Sequence, residues 1–284
     1  MIKPYLQLVR VPGIFTAFTN ILLGFFAVQE INTDWFFLGP LLTTSGFLFL
    51  AGTTLNDYFD YNIDKRERPD RPLPSGIIPR KTALYLGLVF LIVANISSSI
   101  VGTQSFVLSL VITVLILTYN AKSKKNPVLG ILNLSSIRFL NVILGTTIVS
   151  FNLEIIWFAI PIAIFVAGIS ILAKTENSLS SRNTEVLNIM FILITIIYII
   201  VITFNRGFIH FVFLGLFIIA VFVPYMIYKD RTSKNVQKKV TFQLLAIIIL
   251  DATLISVFSD VTYAMLALVL YIPAYLILHK TYLT

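Results

Sequence analysis

Apolar runs long enough to cross a bilayer recur along this chain from end to end, separated by short polar breaks. About 20 helical residues cover the roughly 30 Å of hydrocarbon in a membrane. On that criterion spans fall near residues 12–29, 36–57, 82–102, 104–120, 128–150, 154–173, 186–204, 208–228, 240–258 and 261–279. The pattern predicts an all-α, polytopic transmembrane helical bundle. Its connections are too short for a separate soluble unit, so residues 1–284 are read as one domain. The first segment follows Lys3 and Arg10 as a signal peptide would, but Leu22 to Ala27 offers no clean small-residue cleavage pattern. It is expected to be a retained helix.

Composition sharpens this reading. Of 284 residues, 57% are hydrophobic and 12% charged, with a mean hydropathy of +0.92; soluble domains carry about a quarter charged residues. An ordinary soluble protein is excluded. With no Cys, disulfides, Fe–S clusters and thiolate zinc sites are excluded too, and His210 and His279 are isolated near span ends, where interfacial packing explains them. Any metal must be held by oxygen, which favours Mg²⁺.

The net charge of +8 follows from topology rather than from nucleic-acid binding, for which there is no motif. Of the 21 Lys and Arg, all but Arg138, inside the fifth span, and Arg206 fall on the N-terminal side of the bundle in alternate loops. By the positive-inside rule that side is cytoplasmic.

The acids are concentrated. Asp57, Asp60, Asp64, Glu67 and Asp70 lie together where the second span ends. If the helix continues, Asn56, Asp60 and Asp64 recur at i, i+4 and i+8, with Asp57 three residues before Asp60, and all four share one broad face. Neighbouring carboxylates repel, and they sit at the negative end of the helix dipole. Divalent cations relieve both penalties. Mg²⁺ bound by carboxylates keeps positions open for phosphate oxygens, and Arg66, Arg68 and Arg71 follow at once as partners for the same phosphates. The segment therefore reads as a Mg²⁺–diphosphate site. Pro69, Pro72 and Pro74 stop the helix and, with Ser75-Gly76, shape a loop above it. The plain alternative is a juxtamembrane loop laced with surface ion pairs, which does not call for so regular a spacing.

Asn56-Asp57-x-x-Asp60-x-x-x-Asp64, followed by Arg68-Pro69-x-Arg71-Pro72-Leu73-Pro74-Ser75-Gly76, resembles the first aspartate-rich motif of the UbiA superfamily of intramembrane prenyltransferases. The opening Tyr5 to Pro12, Tyr119 and Lys122 after the fourth span, and the order of spans strengthen the resemblance. It implies a bundle of nine or ten spans around a central cavity open to the cytoplasmic side. There Mg²⁺ and an isoprenyl diphosphate bind with the tail toward the membrane lipid, and the prenyl group passes to an acceptor. A family of this kind usually has nine spans, so one of the last two segments is expected to be re-entrant or added.

The superfamily's second, DxxxD-type motif is missing. Its place holds Ala173-Lys174-Thr175-Glu176-Asn177-Ser178, with Glu176 the one carboxylate. Three readings stay open: Glu176 alone holds a second Mg²⁺, Lys174 contacts the diphosphate directly, or catalysis has been lost. This region, with Arg138-Phe139-Leu140-Asn141 and Leu250-Asp251-Ala252, resembles the EboC-like subgroup, which implies a polar, cyclitol-like acceptor.

Asp60, Asp64, Arg138 and Lys174 are thus the candidate catalytic residues. Asn56, Arg66, Arg68, Arg71, Tyr119, Lys122, Asn141 and Asp251 are candidates for substrate binding, and Asn56, Asp57, Asp60, Asp64 and Glu176 for the metal. For Asp251 a structural role, as an ion pair with Arg138 or a hydrogen-bonded acid, competes with an acceptor-orienting one. Lys124 and Lys125 are explained by topology alone, and Asn20 by a helix–helix hydrogen bond. Two other functions compete with prenyl transfer: cyclisation of the same allylic cation, as in UbiA-like terpene cyclases, and prenyl-lipid binding without turnover. A channel or transporter ranks below both, because the charges gather at one face instead of lining a path.

Overall fold

The computed structural model describes residues 2–29, 34–151, 153–175, 181–204 and 206–278. Twelve α-helices and no strands occur among them: α1 (Ile2–Leu8), α2 (Ile14–Ala27), α3 (Leu38–Glu67), α4 (Arg80–Val101), α5 (Thr103–Ala121), α6 (Pro127–Gly145), α7 (Ile155–Ala173), α8 (Arg182–Thr203), α9 (Ile209–Ile227), α10 (Ser233–Phe258), α11 (Val261–Val269) and α12 (Tyr271–Leu278). Nine segments among the described residues are long and apolar enough to cross a membrane, with α11 and α12 counted as one. The chain is a multi-pass integral membrane protein.

The ends of these helices follow local rules. Asn126 caps α6 by accepting hydrogen bonds from the Val128 and Leu129 amides, with Pro127 at the first helical position. Ser181 caps α8 and Asp260 caps α11 in the same way. Gly102, at φ 145°, turns the chain from α4 into α5.

Two expectations are refined. The first apolar segment is short, a 3-10 turn at Val11–Gly13 leading into the 14-residue α2, which runs from the Arg10–Asp57 contact at one end of α3 to Trp35 at the other. It survives because it is buried among its neighbours, including α3, α6 and α10, rather than exposed to lipid. The tenth segment is long and apolar enough to cross, though broken at Leu270 into α11 and α12, and α12 packs against the turn before α2.

At the centre, α2 and α10 pack together, and α10 is the most buried span. α2 and α6 cross where Gly24 meets Gly145. A methyl on Gly24 would lie 2.1 Å from the Val142 carbonyl oxygen, and one on Gly145 would lie 2.4 Å from that of Ile21. Without a hydrophobic drive between helices in lipid, such small-residue crossings let backbones approach and maximise packing. Towards one end of α8 a second polar cluster ties it to α10. Glu185 accepts from Lys239 Nζ and from Arg231 Nε, each at 2.7 Å, and Gln243 bridges to Asn188.

At 30 residues, α3 is the longest helix. At 1.5 Å per residue it runs about 45 Å, well beyond the roughly 30 Å of hydrocarbon, so its last turns can project at the bundle's charged end.

Replacing Gly145 by Val should separate α2 from α6 and cost about 1–3 kcal/mol, lowering the melting temperature in detergent. Gly39→Ala, where an added methyl meets nothing within 4 Å, is the control. Equal melting of the two variants would show that the crossing is not tightly packed.

Candidate functional site

The aspartate segment is helical to Glu67, and Arg68 ends it with its amide bonded to the Asp64 carbonyl. Asn56, Asp60 and Asp64 line a cavity of about 590 Å³ enclosed by α2, α3, α5, α6, α7 and α10. The acidic face divides into two edges. On one, Lys124 Nζ sits 2.6 Å from Asp60 Oδ1 and 3.2 Å from Asn56 Oδ1. On the other, Arg71 Nη1 lies 2.9 Å from Asp64 Oδ2 and 3.7 Å from Asp57 Oδ1, and Arg10 Nη2 donates to the same Asp57 oxygen at 2.9 Å.

Each cation comes from a different piece of irregular backbone. Arg10 occupies a left-handed conformation, φ 48°, between α1 and the following turn. Such a conformation is strained for a non-glycine residue and persists only where surrounding contacts hold it. Arg71 lies in the proline-bounded loop, which Leu73 and Ile78 pin by burial against Leu8 and Ala83. Arg80 stacks over Tyr58 and Tyr61, at 4.6 and 5.1 Å, and closes that loop on α3. Lys124 is turned inward by a 3-10 turn, Ser123–Lys125.

Asn56 Oδ1 and Asp60 Oδ1 converge on one cation, the Lys124 ammonium. An amide and a carboxylate oxygen beside open cavity match the way Mg²⁺ is held, by one or two carboxylates with the remaining positions left to water and phosphate. Among the described residues no cluster of three acids or imidazoles forms a closed metal cage. The donor set therefore suits a cation shared with a substrate.

Most candidates from the sequence meet at this cavity. Arg68, Arg71, Tyr119, Arg138, Asn141 and Lys174 line it with Asn56, Asp60 and Asp64. Lys174 stands at the end of α7 and donates to the Pro127 carbonyl; partial desolvation lowers its pKa below the ordinary lysine value. Glu176, Asn177 and Ser178 lie outside the described residues, as does His279. His210 is half-buried, its Nδ1 3.3 Å from Ser256 Oγ, as packing would have it.

Four candidates stand elsewhere. Asp57 is buried between Arg10 and Arg71 and does not line the cavity. Arg66 and Lys122 are exposed outside it, and Lys124 holds the position expected of Lys122. Asp251 is fully buried off the cavity, where it accepts from Thr19 Oγ1 at 2.5 Å and from Asn20 Nδ2 at 2.9 and 3.0 Å. The hydrogen-bonded structural acid is what the geometry supports for it. Asn20 is the expected helix–helix link, accepting in turn from Arg138.

Below the charged mouth the walls turn apolar, with Leu48, Ile112, Ile116, Leu134, Ile137 and Ile169 lining the cavity. A membrane-embedded pocket with cations and acids at one end and aliphatic walls beneath defines a binding protein or enzyme for amphiphiles with an anionic head. The class is that of helical membrane proteins built around an aspartate-bearing cavity.

Residues 17–247 match the UbiA prenyltransferase family, and the chain belongs to that family. It is 31% identical over 146 residues to the digeranylgeranylglyceryl phosphate synthase of Methanosphaera stadtmanae, covering 50% of this chain and 52% of that one. It is 40% identical over 80 residues to the synthase of the same name from Pyrococcus furiosus, 28% of this chain and 29% of that one. The match thus spans about half the length of the first of these relatives and under a third of the second. The fold is similar to that of a UbiA homolog from Aeropyrum pernix K1, with a TM-score of 0.69 at 16% identity over 86% of this chain and 97% of that one. It is also similar to a UbiA homolog from Archaeoglobus fulgidus bound to GPP and Mg²⁺, with a TM-score of 0.64 at 15% identity over 88% and 99%.

Asp57→Ala should destabilise the protein by about 3 kcal/mol, since it strips a buried carboxylate from two guanidinium groups. Asp60→Asn, at a more open pair with Lys124, should cost about 1 kcal/mol or less. Thermal unfolding in detergent compares them, and equal losses would contradict the division of the acidic face.

Proposed function

We propose that this protein transfers an isoprenyl group from an allylic prenyl diphosphate to a polar, hydroxyl-bearing acceptor. The observation that carries this reading is the convergence of Asn56, Asp60 and Asp64 with Arg68, Arg71, Lys124 and Lys174 on one cavity whose deeper walls are aliphatic. Relatives named as digeranylgeranylglyceryl phosphate synthases, and a fold shared with a homolog bound to GPP and Mg²⁺, support it.

In this reading Asn56, Asp60 and Asp64 hold Mg²⁺, which supplies positive charge to the diphosphate. Lys124, released from Asp60, joins Arg68, Arg71 and Lys174 on the phosphate oxygens. These groups stabilise the charge that develops as the allylic C–O bond breaks and its electron pair leaves with diphosphate. Tyr119 borders the same region. Leu48, Ile112, Ile116 and Ile137 hold the isoprenoid and keep water from the cation-like carbon. The acceptor oxygen forms the new C–O bond, and its proton goes to the departing diphosphate. Arg138 and Asn141 lie deeper, on the acceptor's side. The direct Lys174 contact answers for the missing second aspartate motif, with Glu176 available as a further oxygen ligand. The excess of Lys and Arg at that end supports a mouth on the cytoplasmic face.

Purified protein with Mg²⁺ should release diphosphate from a preferred isoprenyl diphosphate, and products formed with and without acceptor separate transfer from cyclisation. Asp60→Ala should slow release by at least about 100-fold while the protein stays folded; unchanged turnover would sink the assignment, and binding without any turnover in the unaltered protein would leave only a prenyl-lipid binder. Because the chain has no Cys, Ser75→Cys in the exposed loop gives a single label site. It should react with an impermeant maleimide only in inside-out vesicles, and labelling of intact cells would reverse the orientation.

A further inference from the structure

A second cavity, of about 550 Å³, lies between α5 and α6 at the end of the bundle opposite the charged mouth. Val107, Leu108 and Val111 of α5 and Leu140 and Ile143 of α6 line it, and Thr146 and Thr147 close its far end. Both threonine hydroxyls donate back to α6, to the Ile143 carbonyl at 2.7 Å and the Leu144 carbonyl at 2.8 Å, so neither needs a partner from the cavity. No charged side chain reaches this space among the described residues.

Helix packing accounts for the gap. At the charged end α5 and α6 are joined by the Ser123–Lys125 turn and by Asn133 Nδ2, which donates to Thr118 Oγ1 at 3.2 Å. At the other end α6 is held against α2 by the Gly24–Gly145 contact. A helix tied to α5 at one end and to α2 at the other leaves room beside α5 at the second, and the cavity occupies it.

The two cavities adjoin along this seam. On α5, Ile112 belongs to the wall of the first; Leu108, one turn farther from the aspartates and about 40° around the helix, belongs to the second. On α6 the matching pair is Ile137 and Leu140, about 60° apart. All four are aliphatic. Beyond them Val107 and Val111 are exposed, so the second cavity opens sideways to lipid. The far side of the bundle is closed: α2 and α10 are bonded through Thr19, Asn20 and Asp251, and α12 covers Phe15, Leu245 and Ile248.

We propose that the second cavity seats the distal end of the isoprenoid chain, which leaves the central cavity between α5 and α6. The first cavity, about 590 Å³, has to hold the diphosphate, its cation and the acceptor as well as the chain. A long chain needs further apolar space in line with the wall it follows, and each methylene buried there adds to binding. Leu108 and Leu140 form the threshold that long chains cross. The inference rests on the prenyl-diphosphate reading for the ligand and adds where its tail goes.

Two measurements on protein in phosphatidylcholine nanodiscs test this. Geranylgeranyl diphosphate carrying a terminal diazirine should label the α5 and α6 residues of the second cavity, mapped by peptide mass spectrometry, and unlabelled geranylgeranyl diphosphate should suppress the label. Label on α2 or α10 instead overturns the proposal, with no variant needed. So does labelling of the groove by a photoreactive phosphatidylcholine that geranylgeranyl diphosphate fails to displace, which would make it a phospholipid site. The second measurement is the affinity ratio of geranylgeranyl to geranyl thiolodiphosphate, analogues that ionise slowly. Leu140→Trp and Val111→Trp should each lower that ratio at least about tenfold, a factor that about two displaced methylenes supply. Val114→Trp, exposed on α5 outside both cavities, should leave it unchanged. A ratio unmoved by Leu140→Trp and Val111→Trp overturns the threshold. Groove labelling without prenyl transfer keeps the tail site and loses the reaction, whereas transfer with label elsewhere keeps the reaction and loses the tail site.

Discussion

Everything at the charged end depends on one electrostatic constraint. Four oxygen-bearing side chains, three of them carboxylates, project close together from the last turns of α3. Like charges at that spacing repel, and the helix dipole adds to the penalty. The structure answers with three cations drawn from three irregular segments, Arg10, Arg71 and Lys124, each within 3 Å of an acid. The loop after α3 and the turn after α5 are shaped by this demand. Arg10's left-handed backbone is held in place by its contact with Asp57, itself buried.

The helical period explains how one acidic face serves two purposes. At about 100° per residue, Asp60 and Asp64 stand roughly 40° and 80° around from Asn56, and Asp57 stands at about 100°. Asp57 and Asp64 thus share an edge with Arg71, while Asn56 and Asp60 share the edge that meets Lys124. The first edge carries the buried contacts that hold α1, α3 and the loop together. The second is the more open, and its cation is a flexible lysine, easily exchanged for another. Asp57 alone is withdrawn from the cavity, while Asp64 and Arg71 both hold the loop and face the cavity.

Much of this was legible in the chain. Hydropathy located the spans because lipid demands it, and the i, i+4, i+8 acids declared their face because the helix did continue. Other features escaped for definite reasons. Lys122 and Lys124 are equivalent in a charge count, and only the 3-10 turn decides which one points inward. Helical phase sets Asp57 and Asp60 on different edges, but the partners that bury Asp57 come from residues 10 and 71 through tertiary contacts. The break at Leu270 follows from Pro273, which has no N–H to bond to the Val269 carbonyl, but hydropathy reads straight through it. Asp251 was visible as a costly intramembrane acid, yet its neighbours on α2 are set by tertiary packing.

The crossing of α2 and α6 links the two levels of the cavity. Gly24 and Gly145 bring the backbones into contact. About a turn from Gly24 along α2, and about two turns back along α6, the same interface carries Asn20 and Arg138, so close packing and polar contact are parts of one seam. The seam runs through the most buried part of the bundle, where unsatisfied polar groups are expensive. Thr16, Thr19 and Asn20 meet that cost by bonding to each other's backbone, to Asp251 and to Arg138. The short α2 is thus fixed in depth and rotation by polar contacts. Its rotation sets where Arg138 is held relative to the aspartates of α3. The distance between the two charged levels of the cavity is in this way built into the helix packing rather than left to a flexible loop.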